Sequence, residues 1–298
     1  MAGAIAAIAI VATRTRTVPR ATVLEPPGRE MRARIDGDTA ILVNGRRVTP
    51  AGRVLRTQSY AWGLALSPDG SRAAVLNKDA FELVDLRAPY ASRRVPPLGV
   101  KAPAALGSGS YMGCAFSPDG RRLYYGSANE GRIVILDVAT ADVAGSIDLN
   151  TGGFEDSFAG DLALSRDGRR LVVVDQFNYR LAIVDVDTQT VVQSVRVGRN
   201  PFAVALSHDD RFAWVSNVGM FEYPLVPGVV SRETRRTAGL PFPAYGVPSK
   251  EAEDGVEVNG VRVPGLGSPN HPDAMSVFSV DLATGTVVHG SRPATWSA

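Results

Sequence analysis

Asn77, Asp79, Asn129, Glu130, Asp175, Asn178 and Asn217 fall at similar offsets behind four copies of one short motif. Carboxylate and amide oxygens are the ligands that hard cations such as Ca2+ or Mg2+ prefer. If the fold gathers these loops on one face, they form a ligand-binding surface that could hold a divalent cation. Glu130, Asp175, His271 and Asp273 are the weaker candidates for direct metal ligation, the last two within "NHPD". The opposing reading is local: Asn and Asp in such slots also make Asx turns, which tie the side chain to its own backbone. His208 and His289 fall on a turn and a strand end. Cys114 is the single cysteine, so an intramolecular disulfide or a Cys-based zinc cage is excluded. The loop "GSGSYMG" lacks the preceding strand and the Lys-Ser/Thr of a phosphate loop, and no G-x-S-x-G elbow is present.

The elements that must position these residues are repeats. "GLALSPDGSRAAVLN", "GCAFSPDGRRLYYGS", "DLALSRDGRRLVVVD" and "AVALSHDDRFAWVSN" align, with turn serines Ser67, Ser117, Ser165 and Ser207 spaced 50, 48 and 42 residues apart. Each copy reads as an apolar strand, a turn, a second apolar strand, a polar loop, and a third strand ending in Asp85, Asp137, Asp185 or Asp281. A polar turn and a fourth strand follow. In S-P-D-G, proline presets φ and glycine supplies the positive φ that closes the turn. Asp69, Asp119, Asp167 and Asp209 are therefore hairpin makers, and the strand-end aspartates bond amides of the next turn. Four short antiparallel strands per 40–50 residues mark the blade of a β-propeller. The fold class is all-β, with about four to five blades. The aromatic residues entering first strands (Tyr60, Trp62, Tyr111, Phe202) are expected to wedge between blades. Ahead of the repeats, "TAILVNGRRVTP" reads as an Asn-Gly hairpin that adds half a blade or completes one.

The fourth copy is stretched. From turn serine to strand-end aspartate the first three copies span 18, 20 and 20 residues, whereas Ser207 to Asp281 spans 74. The insertion, about residues 219–274, carries eight prolines and the alternating "VEVNGVRV", whose Asn259-Gly260 pair reads as a type I′ turn. A loop this long is usually functional, and a lid over the channel mouth is expected.

Composition sets the outer limits. The 298 residues are 45% hydrophobic and 21% charged, with a formal charge of +2. Only Lys78, Lys101 and Lys250 are lysines among 32 basic residues, so the other 29 are arginine. These lie singly or in pairs on turns, without the dense, aromatic-studded stripe that nucleic-acid binding requires. The apolar run from Ala2 to Ala12 is too short to span a bilayer but suits a signal-peptide core, although it lacks a positive start and a clean cleavage site. Residues 1–30 are read as a signal-like, disordered N-terminus and 31–298 as the propeller. A periplasmic or secreted location is expected, with no stable membrane span.

The repeat "SPDGRRLYYGSANEGRIVILDVATADVAGSIDL" resembles the YVTN repeat of bacterial YncE-type and lactonase-like propellers over roughly residues 52–290. That resemblance implies seven blades in the closed fold, so that four to five are an incomplete part of one. "NVGMFEYPLV", "FPAYGVPSKEAEDGVEVNGVRVPGLGSPNHPDAMSVFSVDL" and "ILVNGRRVTPAGRVL" resemble the propeller half of two-part proteins in which a YncE-like propeller precedes an alkaline-phosphatase-type phosphoesterase domain. This implies an exported module that binds a small-molecule ligand or a phosphoesterase domain beyond its C-terminus. The competing reading, implied by lactonase-type propellers, is a metal-dependent hydrolase using Ca2+ or another divalent cation on the loop face.

Overall fold

The computed structural model describes residues 33–37, 39–49, 51–55, 57, 60–77, 80–101, 106, 112–224 and 249–291. Expectations for residues 1–30, Asp79, Tyr111 and the 225–248 part of the insertion lie outside these. The chain divides into two compact units, residues 1–56 and 57–298. In the first, β1 (Arg34–Asp36), β2 (Thr39–Ile41) and β3 (Arg47–Val48) form a three-stranded antiparallel sheet of their own. Gly45, at φ 77°, takes the left-handed position between β2 and β3 that the Asn-Gly pair signals.

Among its described residues the second unit is a β-propeller array with four four-stranded antiparallel sheets, each in sequence order. Blade 1 holds β4 (Ala61–Leu66), β5 (Arg72–Asn77), β6 (Ala80–Asp85) and β7 (Ser92–Val95). Blade 2 holds β8 (Cys114–Phe116), β9 (Arg122–Gly126), β10 (Arg132–Asp137) and β11 (Val143–Asp148). Blade 3 holds β12 (Ala159–Leu164), β13 (Arg170–Asp175), β14 (Arg180–Asp185) and β15 (Thr190–Arg196). Blade 4 takes β16 (Pro201–Leu206), β17 (Phe212–Asn217), β20 (Ser276–Asp281) and β21 (Thr286–Ser291). The insertion contributes α1 (Lys250–Asp254) and the hairpin of β18 (Gly255–Val258) and β19 (Val261–Pro264). Asn259 and Gly260 both have positive φ, 53° and 78°, as the type I′ reading requires.

Blades stack through apolar faces. Leu76, Phe81 and Leu83 of blade 1 pack on Phe116, Leu123 and Val134 of blade 2. Tyr124, Ile133 and Ile135 pack on Leu171, Val173 and Val184 of blade 3. Val172, Leu181 and Ile183 pack on Val204, Val215 and Val280 of blade 4. A middle strand with a blade on each side is buried on both faces, which is why β13 and β14 read as continuous apolar runs, "LVVV" and "LAIV". The outer strand β15 has solvent beside it and alternates instead.

The turn motif behaves as its chemistry dictates. Ser67, Ser117, Ser165 and Ser207 donate their hydroxyls to Asp69, Asp119, Asp167 and Asp209 at 2.5–2.7 Å. The same hydroxyls accept from the backbone N–H of Arg72, Arg122, Arg170 and Phe212 at 2.9 Å. Those hydroxyl donors hold all four carboxyls below the usual carboxylate range. Gly70, Gly120 and Gly168 close the first three turns at positive φ, and Asp210 takes the left-handed place at 53° in the fourth. The strand-end aspartates accept from following amides, as in Ala139 N to Asp137 at 2.9 Å and Thr188 N to Asp185 at 2.8 Å.

Candidate loop-face site

The polar positions at the ends of second strands are set by register. Asn77, Ser127, Asp175 and Asn217 each stand ten residues after their turn serine, at the end opposite the S-x-D-G turns. Asn129 and Glu130 stand two and three residues further along, so the seven candidates do not occupy one equivalent ring.

Asp175 is fully buried and already engaged. Its Oδ2 meets the Nε of Arg180 at 2.9 Å and accepts from Asn178 Nδ2 at 2.9 Å, while Oδ1 accepts from Phe158 N at 3.0 Å. Arg180 is equally buried: Nη1 donates to Ser194 Oγ at 2.7 Å, Nη2 donates to the Leu149 carbonyl, and the guanidinium lies 3.6 Å from the Phe154 ring centroid. Asn178 also donates to the Glu155 carbonyl at 3.0 Å and to Ser157 Oγ at 3.1 Å. This network fastens the loop from Leu149 to Phe158 to the top of blade 3. Its carboxylate is spent on an arginine, not presented to a ligand.

Asn217 does a similar job in blade 4. Its Nδ2 donates to the Ser276 carbonyl at 3.3 Å and to Ser276 Oγ at 3.2 Å. A Cβ at Gly198 would stand 2.7 Å from Asn217 Cγ, so only glycine lets the chain pass this close to the amide, whose Oδ1 is buried with no hydrogen-bond partner among the described residues. Asn77 is buried at the end of β5. Asn129 and Glu130 are exposed, and Glu130 reaches Arg132 at 3.4 Å. His271 lies 3.7 Å from Asp273 Oδ2 through Nδ1, in a half-exposed loop that brings no third ligand. Among the described residues no group of three or more His, Cys, Asp or Glu side chains could hold a metal ion. No helix among them is long and apolar enough to cross a membrane.

The described parts of the insertion are stitched to blade 4. Arg199, buried in the loop leading to β16, donates through Nη1 to the carbonyls of Met220 and Ser268, both at 2.7 Å. Arg199 N donates to the Asp273 carbonyl at 2.8 Å, and Glu222 N donates to that of Leu266 at 3.0 Å. Two arginines that the sequence reading passed over, Arg180 and Arg199, thus organise the loop face. The signal for the first was available: Arg132 and Arg180 both open third strands, at matching repeat positions. Tyr60 and Trp62 do not wedge between described blades. They are exposed and stack on each other with centroids 6.4 Å apart.

At the opposite end a groove of about 510 Å³ is lined by Ser165, Asp167, Arg169, Asp185, Asp187 and Asp210. Its carboxylates are occupied locally: Asp187 by Arg169 at 3.6 Å, Asp210 by Arg166 N at 2.9 Å, and Asp185 by Thr188.

Among the described residues, four sheets in sequence order, with their first strands against one another and apolar faces packed between consecutive blades, define a β-propeller repeat protein. No family model and no curated protein matches the chain. Among solved structures it is similar to hydrazine synthase of Kuenenia stuttgartiensis, at 17% identity and a TM-score of 0.50, over 80% of this chain and 52% of that one. It is also similar to the RRP9 WD40 repeats, at 19% identity and a TM-score of 0.46, over 56% of this chain and 48% of that one. U3-55K gives 21% identity and 0.46 over 56% and 49%. The chain spans about half the length of the structures it matches. The first likeness, at its low identity, speaks for the fold alone, and the other two add nothing to it.

Proposed function

We propose that the chain is an exported, noncatalytic propeller module that presents its loop face to a ligand or partner domain. In that reading it is the YncE-like propeller portion of a larger phosphoesterase-type protein. One observation carries it: the buried carboxylate of the loop face, Asp175, is paired within the chain. It meets Arg180 and accepts from Asn178, and the Nδ2 of Asn217 donates to Ser276. A catalytic carboxylate needs an open approach, and Asp175, fully buried against Arg180, has none. What faces solvent instead is a rim, Asn129 and Glu130 in blade 2 with Met220, Tyr223 and Glu251 from the described parts of the insertion, that suits docking. The repeat and insertion motifs quoted above support the phosphoesterase association, and the apolar run near the N-terminus supports export.

The test titrates the purified chain with a phosphoesterase domain from the two-part proteins it resembles, followed by calorimetry. Saturable binding that weakens at least tenfold in Glu130→Arg supports the reading, and no heat at any attainable concentration removes it. Lactone turnover that requires added Ca2+ and falls in Asn129→Ala would replace it with the hydrolase reading. For export, residues 1–30 fused to an enzyme active only outside the cytoplasm should confer activity, and an inactive fusion would overturn that part.

A further inference from the structure

Two of the seams between consecutive blades end differently at the loop face. Between blades 2 and 3 the end is bonded shut: Ala128 and Ala159 form an isolated bridge, with Ala159 N donating to the Ala128 carbonyl at 3.0 Å. Ala128 stands eleven residues after its turn serine, and Ala159 stands six before the next one. Between blades 3 and 4 the same two places hold Gln176 and Pro201. Proline has no backbone N–H, so that bond cannot form there.

Two amide side chains stand at that seam instead. Val172 and Val174 of blade 3 pack with Ala213 and Val215 of blade 4 in one apolar cluster. Gln176 and Asn217 are the next residues of these two columns, because alternate strand residues share a face. Val174 Cγ2 and Gln176 Nε2 both flank the point where a Cβ on Gly160 would stand, at 3.0 and 3.2 Å, so Gln176 keeps to the face of Val174. Gln176 is 7% exposed and Asn217 3%. The Gln176 Nε2 donor and the Asn217 Oδ1 acceptor are both buried with no hydrogen-bond partner among the described residues. Asn217 Nδ2 donates to the Ser276 carbonyl and Oγ, which fixes that amide with its oxygen left over. A buried donor or acceptor left unmatched is costly, and a native fold keeps few of them. The residues that follow, Phe177 and Val218, are 60% and 43% exposed, so each amide has an open apolar side chain next to it along the chain.

We propose that the loop-face end of the seam between blades 3 and 4 binds a neutral amide group. The carbonyl of the ligand accepts from Gln176 Nε2, and its N–H donates to Asn217 Oδ1. In a trans amide these two groups point in opposite directions, which suits partners on opposite walls. The pairing selects against charge. A carboxylate would bring lone pairs against Asn217 Oδ1, and an ammonium would bring protons against Gln176 Nε2. A bound amide returns to this seam the C=O and N–H that the alanine bridge supplies next door. The inference rests on the loop face being a binding surface, and it names the group bound and a place apart from Glu130 in blade 2.

The test is an NMR titration of the full chain with N-methylacetamide, acetate and methylammonium, read at the side-chain NH2 signals of Gln176 and Asn217. N-methylacetamide should move both signals saturably, and the two charged probes should not. Gln176→Met keeps the volume but removes the donor, so it should weaken N-methylacetamide about tenfold with the far-ultraviolet spectrum unchanged. Acetyl-alanine methylamide, an uncharged capped peptide, separates the sources. Tighter binding that falls in Phe177→Ser assigns the amide to a peptide chain, and no gain over N-methylacetamide assigns it to a small molecule. The absence of a saturable shift in the wild type, or an affinity untouched by Gln176→Met, overturns the proposal. So does acetate or methylammonium binding as tightly as the amide. A chain that binds the phosphoesterase domain through Glu130 but takes no amide fails this test and leaves the docking reading standing.

Discussion

Arg180→Met is the sharpest probe of how the loop face is held. The substitution keeps most of the aliphatic volume but removes the partner of a fully buried carboxylate, since Asp175 and Arg180 are 0% and 1% exposed. Asp175 would keep its bonds from Phe158 N and Asn178 Nδ2 but lose the cation it is paired with. Ser194 Oγ and the Leu149 carbonyl would lose a donor, and the Phe154 ring its guanidinium. Stranding one member of a buried pair costs about 3–5 kcal/mol. For a domain of this size each kcal/mol moves Tm by about 2–4 °C, so a drop on the order of 10 °C is expected. The assay is thermal unfolding by circular dichroism with a urea series at fixed temperature. Asp175→Asn combined with Arg180→Met should recover part of the loss, because the lone buried charge is gone. A loss under about 1 kcal/mol, the range of a surface pair, would refute the reasoning. So would a double variant no better than the sum of the single ones. Millimolar Ca2+ should leave the wild-type transition unmoved. A Ca2+-dependent rise that vanishes in Asp175→Asn would mean the carboxylate serves a cation after all.

Three further outcomes follow from the same geometry. Ser165→Ala removes a hydroxyl that accepts from Arg170 N and donates to Asp167, so it should cost about 1 kcal/mol by urea denaturation. In that variant the Asp167 carboxyl, held low by the hydroxyl, should titrate nearer its ordinary range by NMR, and an unmoved titration would exclude the hydroxyl as the cause. Burial raises the Asp161 carboxyl pKa, while its Oδ2 accepts from Val204 N at 3.0 Å. Its folded state therefore favours the proton, and its contribution to stability falls as pH rises from the unfolded value, about 3.9, through the raised folded value. Asp161→Asn should gain stability at neutral pH and lose that advantage near pH 4, and a pH-independent difference would contradict the linkage. Burial pushes the Cys114 thiol up to about 12, so alkylation of the native protein at neutral pH should be slow and accelerate on unfolding. Equal rates in both states would show that the first strand of blade 2 is open.

The sequence itself determined the blade. Repeat length, the S-x-D-G turn, the aspartate at the end of the third strand and the Asn259-Gly260 hairpin are local chemistry, where backbone torsion and short-range hydrogen bonds leave little choice. Hence the turns, the strand order and the mapping of the insertion onto the fourth repeat were legible before any coordinates. What the polar loop residues do was not. Whether Asp175 faces a cation or an arginine depends on Arg180 and on the Leu149–Phe158 loop folding back over it, and residues apart in sequence meet only when blades stack. The same holds for Leu64 and Trp62. A first-strand apolar residue reads alike in all four repeats, and only packing decides that Phe116, Leu162 and Val204 are covered while Leu64 is exposed, because burial belongs to the neighbour a face meets and not to the residue that makes it.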